Sequence, residues 1–377
     1  MSGYHPVLAM ARIVTIVGAR PQFVKAAVVS RALREAGADE RIIHTGQHSD
    51  AAMSSVFFDE LGIPAPSSNL GIAGGCHGEQ TGAMMAAIER ELRGLGSAPD
   101  GVLVYGDTNS TLAGALVAAK LNLPVIHVEA GLRSRNRRMP EEVNRVVVDH
   151  LSSVLLCPTE GAVVNLAAEG IREGGFPKRD VRFVGDVMLD AAMAFREGAE
   201  RAFVDSPLTA LPAGGFVLVT VHRAENTDDR ARLSTIVSAL RAIAHDMPVV
   251  WPVHPRTRRL LPEMGLHMGG DPSGLRLVEP LGYLGMLALE RRARCILTDS
   301  GGVQKEAFFA GVPCVTVRDE TEWVELVDAG WNRVVPPTSA SSIVEAVRSS
   351  VPGKAGFSPY GDGDASGRIA RVIVGRG

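Results

Sequence analysis

The amino-acid sequence predicts an α/β protein that contains two doubly wound parallel sheets. Short runs rich in Val, Ile and Leu alternate with amphipathic or alanine-rich stretches of helical length, which is typical of parallel strands joined by crossover helices. Residues 196–215 are polar, contain glycine and proline, and precede a new apolar run, so they indicate a linker. A chain of 377 residues is long enough to form two cores.

In the first half of the chain, apolar runs predict six strands. Their expected bounds are 12–17, 41–45, 101–105, 124–128, 154–157 and 181–184. Between the first two strands, residues 22–36 follow a helical pattern, and Gly37 is placed to end that helix as a C-cap. These elements predict an N-terminal domain over residues 11–195.

The second half repeats the same alternation with six further strands. Their expected bounds are 216–221, 249–253, 275–278, 295–298, 314–317 and 333–335. They predict a C-terminal domain over residues 205–355. Residues 356–377 begin with turn formers and end in a short helical pattern, so we expect this segment to cross back to the N-terminal domain. Periodicity alone does not distinguish two sheets from one large sheet.

Composition excludes several classes of partner. The formal net charge is −3, and the chain has no run of like charges that would suit nucleic acid or a membrane surface. Residues 1–10 lack the features of a signal peptide, and no apolar stretch is long enough to span a bilayer. Four cysteines without paired spacing are typical of reduced core thiols, so we expect a cytoplasmic protein.

Charged residues and histidines follow six of the predicted strands. In open α/β sheets, ligands bind beyond the carboxyl ends of the strands, so this convergence is the functional signal. In the first half these residues are Arg20, Lys25, Asp107, Glu129, Arg133, Glu141, Glu142, Asn144 and Arg145. In the second half they are His222, Arg223, Glu225, Asn226, His254, Arg256 and the DSGGVQKE segment over residues 299–306.

Each of these residues also has a structural alternative. Asp107 could serve as a helix N-cap, and Glu141 and Glu142 could complement the dipole of a first helical turn. Residues 299–302 could form a cap and a tight turn, although a helix N-terminus with two glycines also presents free N–H groups to an anion. A histidine after a strand is often a hydrogen-bonded packing residue.

Three common motifs are absent from the sequence. No GxGxxG follows the first strand, and neither GxxxxGK[ST] nor GxSxG occurs. Nucleotide-dependent redox chemistry, Walker-type hydrolysis and the simplest serine-hydrolase mechanism are therefore disfavoured.

The strand-end segments together resemble one enzyme family. They read GARPQFVK, TGQHSD, GDTNSTLAGALVA, HVEAGLRS, MPEEVNR, CPTE, VHRAEN, PVHPR, LTDSGGVQKEA and RDETEW. In this order and spacing they closely resemble the non-hydrolysing UDP-N-acetylglucosamine 2-epimerases, from about residue 12 to the PYGDGDAS stretch. The resemblance implies two Rossmann-like domains that face each other across a cleft in the glycosyltransferase-B arrangement, with UDP held chiefly by the C-terminal domain. It also implies a homodimer that needs neither a metal nor NAD.

The resemblance assigns roles residue by residue. The implied catalytic groups are Asp107, Glu129, Glu141, His222 and Lys25. The implied contacts to the substrate or UDP are Arg20, Arg145, Arg223, Asn226, His254, Ser300, Gly301, Gly302, Glu306, Arg318 and Asp319. Among these, Glu306 would accept hydrogen bonds from the ribose hydroxyls.

The implied reaction converts UDP-N-acetylglucosamine reversibly to UDP-N-acetylmannosamine. No carbonyl flanks the C2 proton, so its direct removal would be prohibitively slow. We expect elimination of UDP to give a 2-acetamidoglucal, followed by re-addition of UDP with protonation on the other face. This path needs cations and helix N–H groups for the diphosphate, and more than one acid/base group around C2. Which carboxylate serves which face stays open.

Two departures from the family pattern leave the substrate open. Trp323 occurs where well-studied members carry Arg in a TERPE-like segment, and QHSDA replaces QHRxM. The same segments resemble the branch that acts on sugars such as UDP-2,3-diacetamido-2,3-dideoxyglucuronate. Because QHSDA and the GGCHGEQTG loop belong to an allosteric site in some members, we expect weak or no activation by UDP-N-acetylglucosamine. A UDP-sugar glycosyltransferase of the same architecture and a non-catalytic nucleotide-sugar sensor are further alternatives.

Overall fold

The computed structural model describes residues 10–47, 58, 60–175, 177–204, 207–269 and 274–375. Within it the chain divides into two compact units, Met1–Met193 with Ser358–Gly377, and Ala194–Phe357. Each unit contains one parallel sheet with helices between the strands. The prediction of an α/β protein with two separate parallel sheets is therefore confirmed.

The first unit contains a seven-stranded parallel sheet. Its strands are Arg12–Val17 (β1), Asp39–His44 (β2), Ser68–Asn69 (β3), Gly101–Tyr105 (β4), Val125–Val128 (β5), Val154–Cys157 (β6) and Asp180–Phe183 (β7). Their order across the sheet is β3-β2-β1-β4-β5-β6-β7. The winding direction reverses between β1 and β4, which is where doubly wound sheets bind ligands.

The second unit repeats this plan with six strands. They are Val217–Thr220 (β8), Val249–Pro252 (β9), Leu275–Val278 (β10), Cys295–Thr298 (β11), Cys314–Thr316 (β12) and Asn332–Val334 (β13). Their order is β10-β9-β8-β11-β12-β13, so the switch point lies between β8 and β11. Two equivalent edges, one in each unit, are thus the expected places for polar functional groups.

Helices connect the strands in both units. In the first unit they are Arg20–Glu35 (α1), His77–Arg93 (α2), Asn109–Lys120 (α3), Pro140–Leu151 (α4), Glu160–Ala168 (α5) and Val187–Ala194 (α6). In the second they are Arg196–Val204 (α7), Ala224–Thr227 (α8), Arg230–Ala244 (α9), Pro255–Arg258 (α10), Tyr283–Glu290 (α11), Gly301–Phe309 (α12), Val324–Asp328 (α13) and Ala340–Arg348 (α14). The chain ends in Ala365–Val374 (α15), and short 3₁₀ turns cover Pro207–Ala210 and Leu261–Met264.

The expected linker over residues 196–215 is wrong in its structure. Helix α7 forms there and buries Ala199 and Phe203. It packs against α11, and the guanidinium of Arg292, which follows that helix, lies 4.2 Å from the centre of the Phe203 ring. The apolar face of a short amphipathic helix therefore outweighs the polar composition of this segment.

The C-terminal segment packs within the first unit. Helix α15 contacts α1, and it buries Ala365, Ile369, Ala370 and Ile373. Its first turn is held by Asp190, whose carboxylate accepts hydrogen bonds from the N–H groups of Ala365 and Ser366 at 3.1 and 2.7 Å. Residues 194–357 thus form an insertion between two parts of one unit.

Both cores contain strands that are buried on two faces and are covered by apolar helix faces. β4, β5, β6, β9 and β11 are buried along their whole length, which explains why they read as continuous apolar runs. Cys157, Cys295 and Cys314 lie in these interiors, as expected of core thiols. Cys76 is exposed at the start of α2, so the expectation of a core thiol is wrong for that residue. Residues 48–51 of QHSDA lie outside the described residues.

Candidate active site

The carboxyl edge of the first sheet brings together the turns that follow β1, β4 and β5. Gln22, in the first turn of α1, joins two of them. Its side-chain oxygen accepts from the N–H groups of Gly18 and Ala19, and its amide donates to the carbonyl of Tyr105 at 2.9 Å. Gly18 has to be a glycine because a Cβ there would overlap the side chains of Thr45 and Ser110. The turn after β1 is therefore held tightly against the end of β4.

Lys25 and Glu129 form a nearly buried ion pair at this edge. The Nζ atom of Lys25 contacts Oε2 of Glu129, and the two side chains are 9% and 10% exposed. Gly106 lies beside the pair, since a Cβ at that position would be 3.3 Å from the Glu129 carboxylate and 3.5 Å from Lys25 Nζ. A small residue in the turn after β4 thus leaves room for the pair.

The backbone of Glu129 is in the left-handed region, with φ of +72°. This conformation is uncommon for a residue with a side chain, and strained residues of this kind cluster at functional sites. Two hydrogen bonds hold the turn, because the N–H groups of Glu129 and Ala130 both donate to the carbonyl of Leu156. The left-handed backbone and these two hydrogen bonds together set the direction in which the Glu129 side chain leaves the end of β5.

Asp107 pairs with a different cation. Its carboxylate accepts from Nη2 of Arg145 at 2.6 Å, and its side chain is 32% exposed. The adjoining Asn144 donates its side-chain amide to the carbonyl of Asp107 at 2.8 Å. Thr108, rather than Asp107, caps α3 by accepting from the N–H of Thr111. The capping role considered for Asp107 therefore belongs to its neighbour, and the Asp107 carboxylate stays available at the edge.

The two glutamates of the MPEE segment have different environments. Glu142 is buried and accepts from the N–H groups of Ser134 and Arg135 and from Nη1 of Arg145, so it organises the loop before α4. Glu141 is exposed in the first turn of the same helix. Of this pair, only Glu141 is accessible to a ligand.

A buried network behind the edge was not predicted from the sequence. His127 in β5 lies between Asp149 of α4 and the carbonyl of Gly106, with both distances 2.7 Å. Asp149 also accepts from the N–H of Gly131 and from Arg133. Burial raises the pKa of Asp149, but the hydrogen bonds and charges of His127 and Arg133 outweigh it, and the pKa lies below its ordinary value.

The carboxyl edge of the second sheet is organised by Asp299. This fully buried carboxylate follows β11 and accepts from the N–H groups of His222 and Arg223 at 3.0 and 2.9 Å. It also accepts from the side-chain amide of Asn226, which donates to the carbonyl of Val317 as well. Asp299 and Asn226 therefore shape the turn that carries His222.

His222 and His254 lie close together at this edge. Their ring centres are 5.3 Å apart, and the side chain of His222 is 38% exposed. Burial lowers the pKa of His222; Asp299 opposes that shift, while the charges of Arg223 and Arg256 add to it. The neutral imidazole is therefore favoured near neutral pH.

Helix α12 begins at this edge with Gly301 and follows Ser300 directly. The Ser300 side chain makes no capping hydrogen bond among the described contacts. The indole of Trp323 donates to the carbonyl of Gly301 at 2.9 Å, and Lys305 Nζ lies 4.3 Å from the centre of the Trp323 ring. Trp323 thus anchors the first turn of the helix and stacks with a buried cation.

Arg318 is buried next to the same turn. Its Nη1 donates to Glu322 at 2.9 Å, and Glu322 lies against Gly301. Within the described part of the chain, Nε and Nη2 of Arg318 have no hydrogen-bond partner. Buried donors are normally satisfied, so these two nitrogens are exceptions to the usual pairing beside the start of α12.

The remaining predicted residues take several positions. Glu306 is half-buried on α12, and Asp319 is exposed and pairs with Arg232 at 3.2 Å. Glu306 also affects Glu290 at the end of α11. The burial of Glu290 and, second to it, the negative charge of Glu306 raise the pKa of Glu290 well above its ordinary value. Arg20 begins α1, Arg223 precedes α8, Gly302 is exposed on α12, and His254 accepts from the N–H of Arg256 before α10.

The first edge therefore collects Lys25, Asp107, Glu129 and Arg145, and the second collects His222, Asn226, Ser300 and Gly301. Among the described residues, no group of histidines, cysteines and acids is arranged to hold a metal ion. The helices of that same part of the chain include none long and apolar enough to cross a membrane.

Comparison with known proteins gives a consistent result. A family model described as UDP-N-acetylglucosamine 2-epimerase matches residues 31–374. A Pseudomonas aeruginosa protein named UDP-2,3-diacetamido-2,3-dideoxy-D-glucuronate 2-epimerase is 51% identical, with 96% of this chain and 99% of the relative covered. The UDP-N-acetylglucosamine 2-epimerase of Methanocaldococcus jannaschii is 43% identical over 95% of this chain and 98% of its own.

Solved structures give the same picture. The crystal structure of the Methanocaldococcus jannaschii UDP-GlcNAc 2-epimerase in complex with UDP-GlcNAc and UDP matches with a TM-score of 0.86 and 42% identity. The match covers 96% of this chain and 99% of that chain. The Neisseria meningitidis enzyme bound to UDP-GlcNAc matches with a TM-score of 0.82 and 28% identity, over 97% and 100% of the two chains.

Proposed function

Because the chain belongs to the UDP-N-acetylglucosamine 2-epimerase family of isomerases, we propose that it inverts C2 of a UDP-linked 2-acetamido sugar by eliminating and re-adding UDP. The observation that carries this proposal is the pair of carboxylates at one sheet edge, each with its own cation. Glu129 pairs with Lys25. Asp107, in the turn after β4, pairs with Arg145 of α4. Inversion at C2 needs two such groups, because the proton leaves one face and returns to the other.

In the proposed elimination, a carboxylate removes the C2 proton while the bond between C1 and the diphosphate oxygen breaks. The electrons of the C–H bond form the C1–C2 double bond, and UDP leaves with the electrons of the C–O bond. The reverse addition protonates C2 on the other face and restores the bond to UDP at C1. We assign the proton transfers to Asp107 and Glu129, with the exposed Glu141 as a third acid/base group at C2.

The second unit offers groups that suit a diphosphate. The N–H groups at the start of α12, with Ser300, Gly301 and Gly302, form a helix N-terminus that favours an anion. The two unpartnered nitrogens of Arg318 are donors beside the same turn. We propose that these groups hold the diphosphate and stabilise the charge that it gains on leaving C1.

The remaining predicted residues have proposed roles around this centre. His222 and His254 would flank the leaving diphosphate. Glu306 would accept hydrogen bonds from the ribose hydroxyls. Arg223, Asn226 and Asp319 would support the nucleotide. In the first unit, Arg20 and Arg145 would contact the sugar or its diphosphate.

UDP-N-acetylglucosamine is the first candidate substrate. It is the sugar in the names of the 43% identical relative and of the solved structures. UDP-2,3-diacetamido-2,3-dideoxyglucuronate is the second, since it appears in the name of the 51% identical relative. The exposed arginines Arg135, Arg137 and Arg138, in the loop before Glu141, would suit the carboxylate of such a uronate.

The proposal is tested by incubating the protein with each UDP-sugar separately and identifying the products by ¹H NMR. Conversion of either sugar to its C2 epimer, without accumulation of UDP and free sugar, supports it. Asp107→Asn should abolish turnover while UDP still binds in calorimetry, whereas the exposed Asp100→Asn serves as a matched control. Net release of UDP would indicate a hydrolase, and an active Asp107→Asn variant would remove Asp107 from the mechanism.

The family resemblance also leads us to propose a homodimer. Sedimentation equilibrium tests this directly, and a mass of one chain at micromolar concentration would contradict it.

A further inference from the structure

His127 occupies a fully buried position between the two turns that carry the proposed acid/base groups. Its Nε2 atom lies 2.7 Å from the carbonyl oxygen of Gly106, the residue before Asp107. Its Nδ1 atom lies 2.7 Å from Oδ1 of Asp149. The imidazole is 0% exposed, so water does not compete for either contact.

The two hydrogen-bond partners of His127 indicate which of its ring nitrogens donate. A carbonyl oxygen can only accept, so Nε2 carries a proton that it donates to Gly106. The other oxygen of Asp149 already accepts from the N–H of Gly131 at 3.1 Å and from Arg133 Nη1 at 2.7 Å. A carboxylate surrounded by donors accepts on both oxygens, so Nδ1 of His127 donates as well. Both ring nitrogens of His127 therefore face acceptor oxygens and are placed to donate to them.

The His127–Asp149 pair is hydrogen-bonded to both turns that carry the proposed acid/base groups. On one side, His127 holds the carbonyl of Gly106, and Asn144 holds the next carbonyl along the chain. On the other side, Asp149 holds the N–H of Gly131, two residues after Glu129. Asn144 and Asp149 both lie on α4, so one helix is hydrogen-bonded to both turns.

We propose that the His127–Asp149 pair is a positioning device that sets the separation and direction of the Asp107 and Glu129 carboxylates. This inference rests on the proposed function, because it presumes that these two carboxylates transfer the C2 proton. Neither His127 nor Asp149 touches the substrate, and both act through the backbone of the neighbouring turns. A displacement of about 1 Å at a reacting group can cost on the order of 100-fold in rate.

A positioning role predicts a change in turnover that exceeds any change in substrate binding. Asp149→Asn keeps the shape of the side chain but places an amide donor among donors. His127→Gln keeps one hydrogen bond and cannot bridge both partners. Each variant should lower kcat by about 100-fold and alter KM by less than about 3-fold. His150→Gln is the matched control, since His150 follows Asp149 on the same helix and its side chain is 48% exposed.

A second measurement does not depend on activity. Hydrogen exchange followed by mass spectrometry should show faster exchange in both variants at residues 105–108 and 129–132, with the rest of the first sheet protected as in the wild type. In the wild type, ¹H–¹⁵N spectra should show protons on both ring nitrogens of His127.

Wild-type kcat in either folded variant, or unchanged exchange at both turns, would overturn the positioning role. So would a His127 ring with only one protonated nitrogen. An inactive wild type would instead overturn the proposed function, and the exchange and ¹⁵N measurements would still decide whether the pair holds the two turns.

Discussion

At the scale of single residues, the first sheet edge keeps its two carboxylates in different surroundings. Glu129 is nearly buried against Lys25, whereas Asp107 is one-third exposed beside Arg145. The proposed reaction needs two acid/base groups, because one removes the C2 proton and the other delivers a proton to the opposite face.

Replacing Lys25 by methionine tests the first of these pairs. The change keeps the length of the side chain but leaves Glu129 without its cation, so we expect kcat to fall by about 100-fold or more. UDP affinity measured by calorimetry should stay within about 3-fold of wild type, which is under ~1 kcal/mol. Lys120→Gln, at an exposed position on α3, is the control. Near-normal turnover in Lys25→Met would show that the pair is not needed.

The lowered pKa of His222 predicts that protons are taken up when UDP binds. Its lowered pKa favours the neutral ring, and a diphosphate bound beside it would favour the imidazolium instead. UDP binding near pH 6.5 should therefore take up protons, about where an ordinary histidine titrates. Calorimetry in buffers of different ionisation enthalpy measures this uptake. It should shrink in His222→Asn but not in His245→Asn, an exposed control at the end of α9. Equal uptake in wild type and His222→Asn would contradict the assignment.

Sequence alone could predict residues at strand ends better than residues behind them. Asp107, Glu129 and His222 follow apolar strands directly, where the fold presents ligand-binding groups. Asp149 lies inside a helix, and its partner His127 lies inside a strand, so neither residue stands at the strand ends where function was expected. A signal did exist in α4, because Glu142, Arg145 and Asp149 recur at helical spacing on a buried face. Buried charges on one helix face require partners, but the sequence could not identify them.

At the scale of elements, the start of α12 combines a free helix N-terminus with close packing. A Cβ at Gly301 would overlap the Glu322 carboxylate and lie 3.6 Å from the indole nitrogen of Trp323. Glu322 in turn holds Arg318. The glycine is therefore required by the neighbours of the turn as well as by its proposed ligand.

Gly301→Ala should weaken UDP binding without unfolding the second unit. The added methyl group displaces Glu322, and with it the position of Arg318, so we expect a Kd increase of about tenfold, or ~1.4 kcal/mol. Gly285→Ala on α11 is the control, because the three atoms nearest to its Cβ would all belong to Leu281, and the closest would be at 3.4 Å, an ordinary contact. Calorimetry with UDP and thermal melts of both variants make the comparison. Unchanged affinity in Gly301→Ala would exclude this turn from the diphosphate site.

The strands were predictable because parallel strands are buried on both faces and read as apolar runs. β3 was missed because Ser68–Asn69 is short and polar, and it joins the sheet only by pairing with the end of β2. Helix α7 was missed for a related reason, since its stability depends on packing against α11 rather than on its own composition. Elements that depend on a distant partner therefore lie beyond what local patterns can predict.

At the scale of the whole molecule, the chain leaves the first unit after Met193 and returns to it at Ser358. The returning helix α15 is fastened to Asp190 and packs against α1, whose first turns carry Gln22 and Lys25. The last helix of the chain therefore supports the element that bears a proposed catalytic group.

Ile369→Ala tests this support. Ile369 is 0% exposed on α15, so its truncation should lower the free energy of unfolding by about 2–5 kcal/mol. Val164→Ala, at a residue 66% exposed on α5 in the same unit, should cost less than about 0.5 kcal/mol. Urea unfolding followed by circular dichroism compares the two variants. Equal midpoints for both would show that α15 adds little to the first unit.

The central claim is that C2 is inverted through loss of its proton and loss of UDP, and solvent deuterium tests it most directly. The wild-type enzyme, incubated in D₂O with a UDP-sugar that it converts, should produce the C2 epimer with deuterium at C2. On approach to equilibrium the label should also enter the starting sugar, and UDP should not accumulate. Inversion without deuterium at C2 would contradict the account, because the proton would then never have been exchanged with a group open to solvent.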